Sequence, residues 1–308
     1  MIEISKLNKT LGNRKIINDL SFSSIQKECL GLFGDDDSAK TMLLKLIAGA
    51  IPPCSGHIKI DTLDTRTHSI KARKLIGYQV EQGLSHPTIT VNKVLHYMAA
   101  IRGFSGNEKR WRVAEAVARL ELLAVLNTPL DALPIDLKRK VAIAQAILHT
   151  PTVLLLDQPT QGLAPDQIYA FKETVQALTQ EMTVIIASRN AEHLSELCTR
   201  ALIITDGQLV ADAPLLDLQR NSRHCQAVTL SADTPLDLLS LAVLPGVAGI
   251  EEHRHAPGTV TVLAMPGHAI YPHINTLIAN RRWKINTWRL EPGRLSDPRQ
   301  NPSQLGSL

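Results

Sequence analysis

Short apolar runs near the start of the chain alternate with loops and lead into a helical pattern. Runs with β-rich composition lie around Ile2–Ile4, Ile16–Phe22 and Cys29–Phe33. The third run continues into Gly34 and then into apolar spacing typical of a helix. The pattern therefore predicts an antiparallel β portion, followed by a strand, a loop and a helix in direct succession.

The segment from about 90 to 150 has helical periodicity and almost no strand signal. Apolar residues recur there at intervals of three and four, which places them on one face of a helix. We expect a helical insert at about 90–150 within a larger α/β domain. The residues that define these faces are Val113, Val117 and Leu120, and Leu137, Val141, Ala144 and Leu148.

Two continuous apolar runs follow the helical segment, at 153–156 and 184–187. Each run is short enough for a strand buried on both faces, and a helix-length segment separates them. This alternation is typical of an α/β fold with a parallel sheet. Further on, Asp206-Gly207 lies between two apolar runs and predicts a two-residue hairpin.

The pattern changes after about residue 220. Between 227 and 290 it predicts a strand, a helix, a hairpin, a helix and a strand, which is a small α+β unit. We therefore expect a first domain at 1–220 and a small C-terminal domain at 221–291. The segment 292–308 is rich in Pro, Ser, Gln and Gly, and is predicted to be disordered.

Composition narrows the class of partner. Of 308 residues, 44% are hydrophobic and only 4% aromatic, with a formal net charge of +4. Such a chain has no basic stripe with interleaved aromatic rings, so nucleic acid is not an expected partner. No apolar run approaches the ~18 residues of a spanning helix, and the N-terminus lacks the apolar core of a signal peptide. We expect a cytoplasmic protein that reaches a membrane only through a partner.

The segment from Gly34 to Thr41 has the sequence of a phosphate-binding loop with one change. It matches G-x-x-x-x-G-K-[ST] except that Ala39 replaces the second glycine. In such a loop the backbone N–H groups surround phosphates, Lys40 reaches the terminal phosphates and the Thr41 hydroxyl binds Mg²⁺. The candidate nucleotide-binding residues in this segment are Gly34, Asp37, Ser38, Ala39, Lys40 and Thr41.

Three consecutive aspartates, at 35–37, lie where a polyanion would bind. At an effective dielectric constant of ~20, each pair of like charges about 6 Å apart costs roughly 3 kcal/mol before screening. We therefore expect binding of ATP and Mg to be weak or absent. Two alternatives stay open, namely residual nucleotide binding and a loop that only connects strand to helix.

The motifs around this loop carry a resemblance to a known family. The segment Val153–Thr160 resembles the Walker B strand of ABC ATPases, and Ile76-Gly77-Tyr78 followed by Glu81 resembles their Q-loop region. The segments 133–145, 161–163 and 187–189 follow in the family's order and spacing. The chain is thereby identified as similar to the nucleotide-binding subunit of an ABC transporter over residues 1–220. The C-terminal unit is similar to one appended in the branch that serves drug-export and gliding-motility type transporters.

The resemblance implies a P-loop NTPase fold of the ABC type and a site for ATP and Mg. It adds Glu81 and Asp157 to the candidate binding residues and makes Thr41 and Asp157 the candidate magnesium ligands. It also implies a membrane permease as partner, and a second ABC ATPase chain or a second copy of this chain. For Asp157, a buried acid that only caps the end of a strand is the alternative.

The chain departs from the family at most positions that perform chemistry. Gln158 replaces the glutamate that polarises the attacking water, and a general base contributes typically 10²- to 10⁴-fold to a rate. Arg189 replaces the switch histidine and stays cationic at all relevant pH values. No catalytic residue is therefore expected to be intact. Further departures are Leu133–Leu137 in the signature segment, Ala164 in the D-loop and Leu11 at the adenine-stacking position.

Three functions compete at this point. The first is an ATPase subunit that works slowly or only with an intact partner. The second, favoured by the chemistry, is a pseudo-ATPase that acts as a scaffold or regulator in an export or surface-assembly complex. The third is an interaction protein that no longer binds a permease. This chain is altered in both its Walker A and its signature segment. An intact ABC ATPase partner would therefore complete neither of the two ATP sites of a dimer.

Overall fold

Strands and helices alternate through the first 214 residues. The computed structural model describes residues 1–81, 88–194, 196–253, 256, 258–291 and 293. In chain order, the elements of this part are β1 (Ile2–Leu11), β2 (Arg14–Ser24), β3 (Cys29–Phe33), α1 (Asp37–Ile47), β4 (Ser55–Ile60), β5 (Leu63–Asp64), α2 (Ser69–Arg73), β6 (Ile76–Gln79), α3 (Val91–Ile101), α4 (Gly106–Arg119), α5 (Ile135–Ile147), β7 (Val153–Asp157), α6 (Pro165–Thr179), β8 (Thr183–Ala187), β9 (Arg200–Thr205) and β10 (Gln208–Pro214).

The apolar runs at 29–33, 153–156 and 184–187 become neighbouring strands of one six-stranded sheet. Its strand order is β10-β9-β3-β8-β7-β6, and β6, β7, β8, β3 and β9 run parallel. Every residue of β3, β7 and β8 is buried, as expected for strands covered on both faces. The predicted parallel sheet is confirmed, and it brings the carboxyl ends of β3, β7 and β8 together.

A second sheet forms the antiparallel portion that the first apolar runs predict. Its order is β2-β1-β4-β5, with antiparallel pairing throughout. The hairpin predicted at Asp206-Gly207 joins β9 to β10, and both residues adopt positive φ angles of 50° and 75°. Positive φ at both central positions is the requirement of a tight two-residue hairpin.

The predicted helical insert consists of α3, α4 and α5. Its helices pack through the predicted apolar positions, so that Val113, Val117 and Val141 are buried. The chain enters α3 at Thr90, whose hydroxyl caps the backbone N–H of Lys93 at 3.5 Å. No helix in the described part of the chain combines the length and the apolar character needed to cross a membrane.

The remaining elements belong to a separate unit. The chain divides into two compact units, Met1–Asp212 and Ala213–Leu308. The elements of the second unit are α7 (Leu215–Arg220), β11 (Val228–Ala232), α8 (Leu238–Ala242), β12 (Val247–Glu252), β13 (Thr259–Ala264), α9 (Tyr271–Arg281) and β14 (Ile285–Leu290). The four strands have the order β12-β13-β11-β14, and α8 and α9 contribute Leu241 and Ile274 to the core of the unit. The predicted tail, 292–308, lies outside the described residues apart from Gly293.

A buried histidine after α5 makes the stability of the first unit dependent on pH. The Nε2 atom of His149 lies 3.0 Å from the carbonyl oxygen of Ile76. Burial, together with the positive charge of Arg102, lowers the pKa of His149 from 6.5 to about 4, against the opposing effect of the hydrogen bond to Ile76. The folded chain therefore binds this proton more weakly than the unfolded chain does.

We predict that the free energy of unfolding falls by about 1 to 2 kcal/mol between pH 7 and pH 5 because of His149. The sign follows from the lowered pKa, since only the unfolded chain gains the proton between pH 6.5 and 4. His149→Gln should flatten this dependence, measured by urea unfolding at both pH values. His68→Gln, at an exposed position of the same unit, serves as the control. An unchanged slope in His149→Gln would contradict the prediction.

Candidate functional site

The candidate loop connects the end of β3 to the start of α1. Gly34 has a φ of 128°, and a Cβ added there would lie 1.9 Å from the carbonyl oxygen of Ile204 in β9. Only glycine fits this combination of angle and contact. Ala39, which replaces the second glycine of the motif, lies buried within α1 in ordinary helical structure. The loop therefore keeps the backbone route of a phosphate-binding loop.

Asp36 is the N-cap of α1 and takes the first backbone donors of that helix. Its Oδ1 atom accepts hydrogen bonds from the backbone N–H of Ser38 at 2.9 Å and of Ala39 at 3.2 Å, and from the Ser38 hydroxyl at 2.8 Å. Its Oδ2 atom lies 3.0 Å from the guanidinium of Arg14. Burial by itself raises the pKa of Asp36, but these hydrogen bonds and Arg14 outweigh it and lower the pKa.

Asp36 thus occupies donors that a phosphate group would need. The first N–H groups of a helix have no partner within the helix, and they are what anions bind at helix N-termini. Here two of them already have an ionised acceptor from the same chain. Sequence analysis missed this role, although aspartate just before a helical segment is a favoured N-cap and signals it.

Lys40 is fully buried and bound from three sides. Its Nζ atom donates to the carbonyl oxygens of Gly34 and Ser188, the latter at 3.2 Å. It also lies 3.0 Å from Oδ1 of Asp37. The lysine that the motif assigns to terminal phosphates is therefore already paired with a carboxylate of its own helix.

The two altered catalytic positions meet at the same carboxylate. The side-chain amide of Gln158 donates to Oδ1 of Asp37 at 3.1 Å, and its oxygen accepts from the backbone N–H of Arg189 at 3.0 Å. The guanidinium of Arg189 forms an ion pair with Oδ2 of Asp37. Sequence analysis named all three residues, but it did not predict that they would bind one another. We call Asp37, Lys40, Gln158 and Arg189 the Asp37 cluster.

A separate group of oxygen atoms lies at the end of β7. The Thr41 hydroxyl donates to Oδ1 of Asp157 at 3.0 Å, and the Tyr78 hydroxyl donates to Oδ2 at 3.1 Å. Burial raises the pKa of Asp157, the charge of Glu81 adds to the rise, and the two hydrogen bonds oppose it. Burial and the charge of Asp157 likewise raise the pKa of Tyr78. Tyr78 was part of the recognised motif, but its bond to Asp157 was not predicted.

The predicted magnesium ligands Thr41 and Asp157 are therefore adjacent, and both present oxygen atoms. Magnesium prefers oxygen ligands and is commonly held by one or two protein groups, with phosphate and water completing its shell. Among the described residues, no group of three or more His, Cys, Asp or Glu side chains could hold a metal ion. The pair fits magnesium that arrives with a polyphosphate. In the loop from Gly34 to Thr41, Asp36 and the Asp37 cluster use the donors that this polyphosphate would bind.

The other candidate positions form no hydrogen bond with the Asp37 cluster or with Asp157 among the described residues. The backbone carbonyl of Glu81 accepts a hydrogen bond from Arg139 of α5. In the signature segment, α5 follows Pro134, whose side chain cannot cap it, and Oδ1 of Asp136 is buried without a hydrogen-bond partner in the described structure. The backbone N–H of Ala164 donates to the side chain of Gln167 at 2.9 Å. Leu11 lies exposed at the end of β1.

The fold and the site together define a class. A buried parallel strand enters a helix through a glycine-bounded loop, the helix carries lysine and threonine, and the end of another parallel strand supplies an aspartate to that threonine. This is the construction of a P-loop NTPase. Residues 17–161 match the family model described as ABC transporter. Over these residues the chain is similar to an ABC transporter ATP-binding domain.

Known proteins are similar over most of the first unit. The linearmycin resistance ATP-binding protein LnrL of Bacillus subtilis is 29% identical over 219 residues, which is 71% of this chain and 70% of that protein. The Nod factor export ATP-binding protein I of Rhizobium etli is 26% identical over 78% of this chain and 76% of its own length. The structure of cbiO1 from Clostridium perfringens has a TM-score of 0.64 at 22% identity, covering 70% of this chain and 89% of its own. At this identity the structural likeness shows the fold alone.

We predict that Tyr78→Phe lowers the free energy of unfolding by about 1 to 2 kcal/mol, because it leaves an oxygen of the buried Asp157 without its donor. The same change should raise the pKa of Asp157 further, since the lost hydrogen bond favours the ionised form. Chemical denaturation and a carbonyl NMR titration measure the two effects. Tyr169→Phe, at an exposed tyrosine of α6, is the matched control. Equal stability of both variants would rule out the role given to Tyr78.

Proposed function

We propose that this chain is the nucleotide-binding-domain-like subunit of an ABC export transporter and that it does not hydrolyse ATP. In this role it acts as a scaffold or regulator of an export or surface-assembly complex. The observation that carries the proposal is the state of Gln158. An amide stands where a general base is needed, and both of its polar atoms are bound to Asp37 and Arg189.

The chemistry of the neighbouring positions supports the same conclusion. A carboxamide cannot accept a proton from water at neutral pH, so the contribution of a general base, about 3 to 5 kcal/mol of barrier, is absent. Arg189 cannot replace a neutral imidazole, because it stays protonated. Its guanidinium is also held by Asp37. We therefore propose that binding of ATP and Mg is weak or absent.

One observation favours a slow but genuine ATPase as the second candidate. Lys40, Thr41 and Asp157 all remain, and Thr41 contacts Asp157 as a magnesium pair would. A partner ABC ATPase, or a second copy of this chain, would then have to supply the missing groups. The loss of the signature serine and glycines in this chain weighs against two identical copies.

We further propose that the chain lies in the cytoplasm, peripheral to the inner face of the membrane, and docks on a permease. The first unit has an open cleft of about 320 Å³ between the end of α1, α2, β6 and the end of α3. Arg73 and Arg102 line this cleft. Tyr78, which belongs to strand β6 just before Glu81, lines it as well. Export as the direction of transport is supported by the name of the Nod factor relative. A free-standing interaction protein is the remaining alternative.

We predict that the purified chain turns over ATP at the background rate, and that Gln158→Glu does not restore hydrolysis. The new carboxylate would lie beside Asp37, where like charges repel at short range. The signature and D-loop groups are also missing. Phosphate release, with Lys40→Ala as the control for contaminating ATPase, is the measurement. Turnover by the wild-type chain that Lys40→Ala abolishes would favour the slow ATPase.

We predict that charge reversal in the cleft, Arg73→Glu with Arg102→Glu, reduces recovery of a multi-span membrane protein at least about tenfold in pull-downs from membrane extract, equivalent to about 1.4 kcal/mol of binding. The matched control is Lys74→Glu, at an exposed residue next to Arg73 that does not line the cleft. Recovery by the wild-type chain and the control, but not by the cleft variant, is the expected result. Unchanged recovery by the cleft variant, or no membrane protein in any sample, would favour the free-standing protein.

A further inference from the structure

We propose that Asp36 and Asp37 act as internal anions that occupy the phosphate positions of the loop, so that this site is closed without a nucleotide. The inference rests on the proposed function in one respect, since both concern the same candidate nucleotide site. It adds a cause for weak nucleotide binding that differs from the one expected from sequence. The expected cause was repulsion by free negative charges, whereas the structure has two of the three aspartates already paired.

Asp36 fills the part of the site built from the helix terminus. Its carboxylate accepts from two backbone N–H groups and the Ser38 hydroxyl, and it pairs with Arg14. A phosphate bound at a helix N-terminus uses the same kind of donors. A nucleotide would have to displace this carboxylate, which would then lose its hydrogen bonds and its ion pair.

Asp37 fills the part of the site built from side chains. Its two oxygens contact the Lys40 amine, the Gln158 amide and the Arg189 guanidinium. Lys40 belongs to α1, Gln158 follows β7 and Arg189 follows β8, so one carboxylate connects three elements that are distant in sequence. Terminal phosphates make connections of this kind in a P-loop site, where cationic groups converge on them.

The charges of the site support occupancy of the phosphate positions by Asp36 and Asp37, which we call internal occupancy. Asp36 and Asp37 are matched by Arg14, Lys40 and Arg189, so little positive charge remains to attract a polyphosphate. Asp35 differs from both neighbours. It is exposed and makes no side-chain hydrogen bond or ion pair with any described residue. The chain thus supplies a control of the same residue type in the same loop.

The first test measures stability without any ligand. We expect Asp37→Asn to lower the melting temperature by about 3 to 8 °C, because it weakens two ion pairs of the first unit. Asp35→Asn should change it by less than about 1 °C. A double-mutant cycle of Asp37→Asn with Arg189→Gln should give non-additive losses. Equal effects of Asp35→Asn and Asp37→Asn, or additive losses in the cycle, would overturn the proposal.

The second test uses inorganic tripolyphosphate as the probe, with calorimetry and thermal shift on the full chain. Asp36→Gly with Asp37→Gly keeps an acceptable N-cap and frees the donors. We expect this variant to bind tripolyphosphate at least about tenfold more tightly than the wild-type chain and than Asp35→Asn. If the double variant does not fold, Asp37→Asn alone is compared with Asp35→Asn in the same assay.

The outcomes separate this inference from the proposed function. An equal gain of binding in Asp35→Asn would assign weak binding to general charge repulsion and overturn internal occupancy. Tight binding of tripolyphosphate by the wild-type chain would also overturn it. Neither readout involves hydrolysis, so ATP turnover by the wild-type chain would contradict the proposed function and leave the tripolyphosphate comparison valid.

Discussion

The carboxylate of Asp37 is the interaction on which the arrangement of the candidate site depends. It holds the buried amine of Lys40 and ties the turns after β7 and β8 to the start of α1. Without an anion at this position, the fully buried ammonium of Lys40 would lose its carboxylate partner, which is costly in an interior of low dielectric constant. In this structure the anion that these groups contact is the carboxylate of Asp37.

The phosphate side and the magnesium side of the candidate site differ in their contacts. On the phosphate side, Gln158 and Arg189 bind a carboxylate of the chain. On the magnesium side, Thr41 and Asp157 contact each other directly. Tyr78 and Glu81 then influence the ionisation of Asp157 from opposite directions. The Thr41–Asp157 pair and the Asp37 cluster are thus two separate sets of contacts within the candidate site.

The fold was largely readable from the sequence because its signal is the spacing of apolar residues. Runs of four apolar residues gave the buried parallel strands, and Asp206-Gly207 gave the hairpin. The candidate residues were also found, since motif order fixes their positions. Their contacts were not, because periodicity carries no information on whether Asp36 or Asp37 points to solvent or to Arg14 and Arg189. The same limit hid the bond from Tyr78 to Asp157, which joins residues 79 positions apart.

The steric fit at Gly34 has a consequence for how such chains are recognised. The residue is restricted by its positive φ and by the carbonyl of Ile204, and neither restriction involves a ligand. Packing alone is thus enough to require glycine at this position, whether or not the loop binds a nucleotide. A sequence-pattern search that scores this glycine identifies the backbone conformation of the loop. Whether the side chains of the loop can bind a nucleotide has to be judged separately.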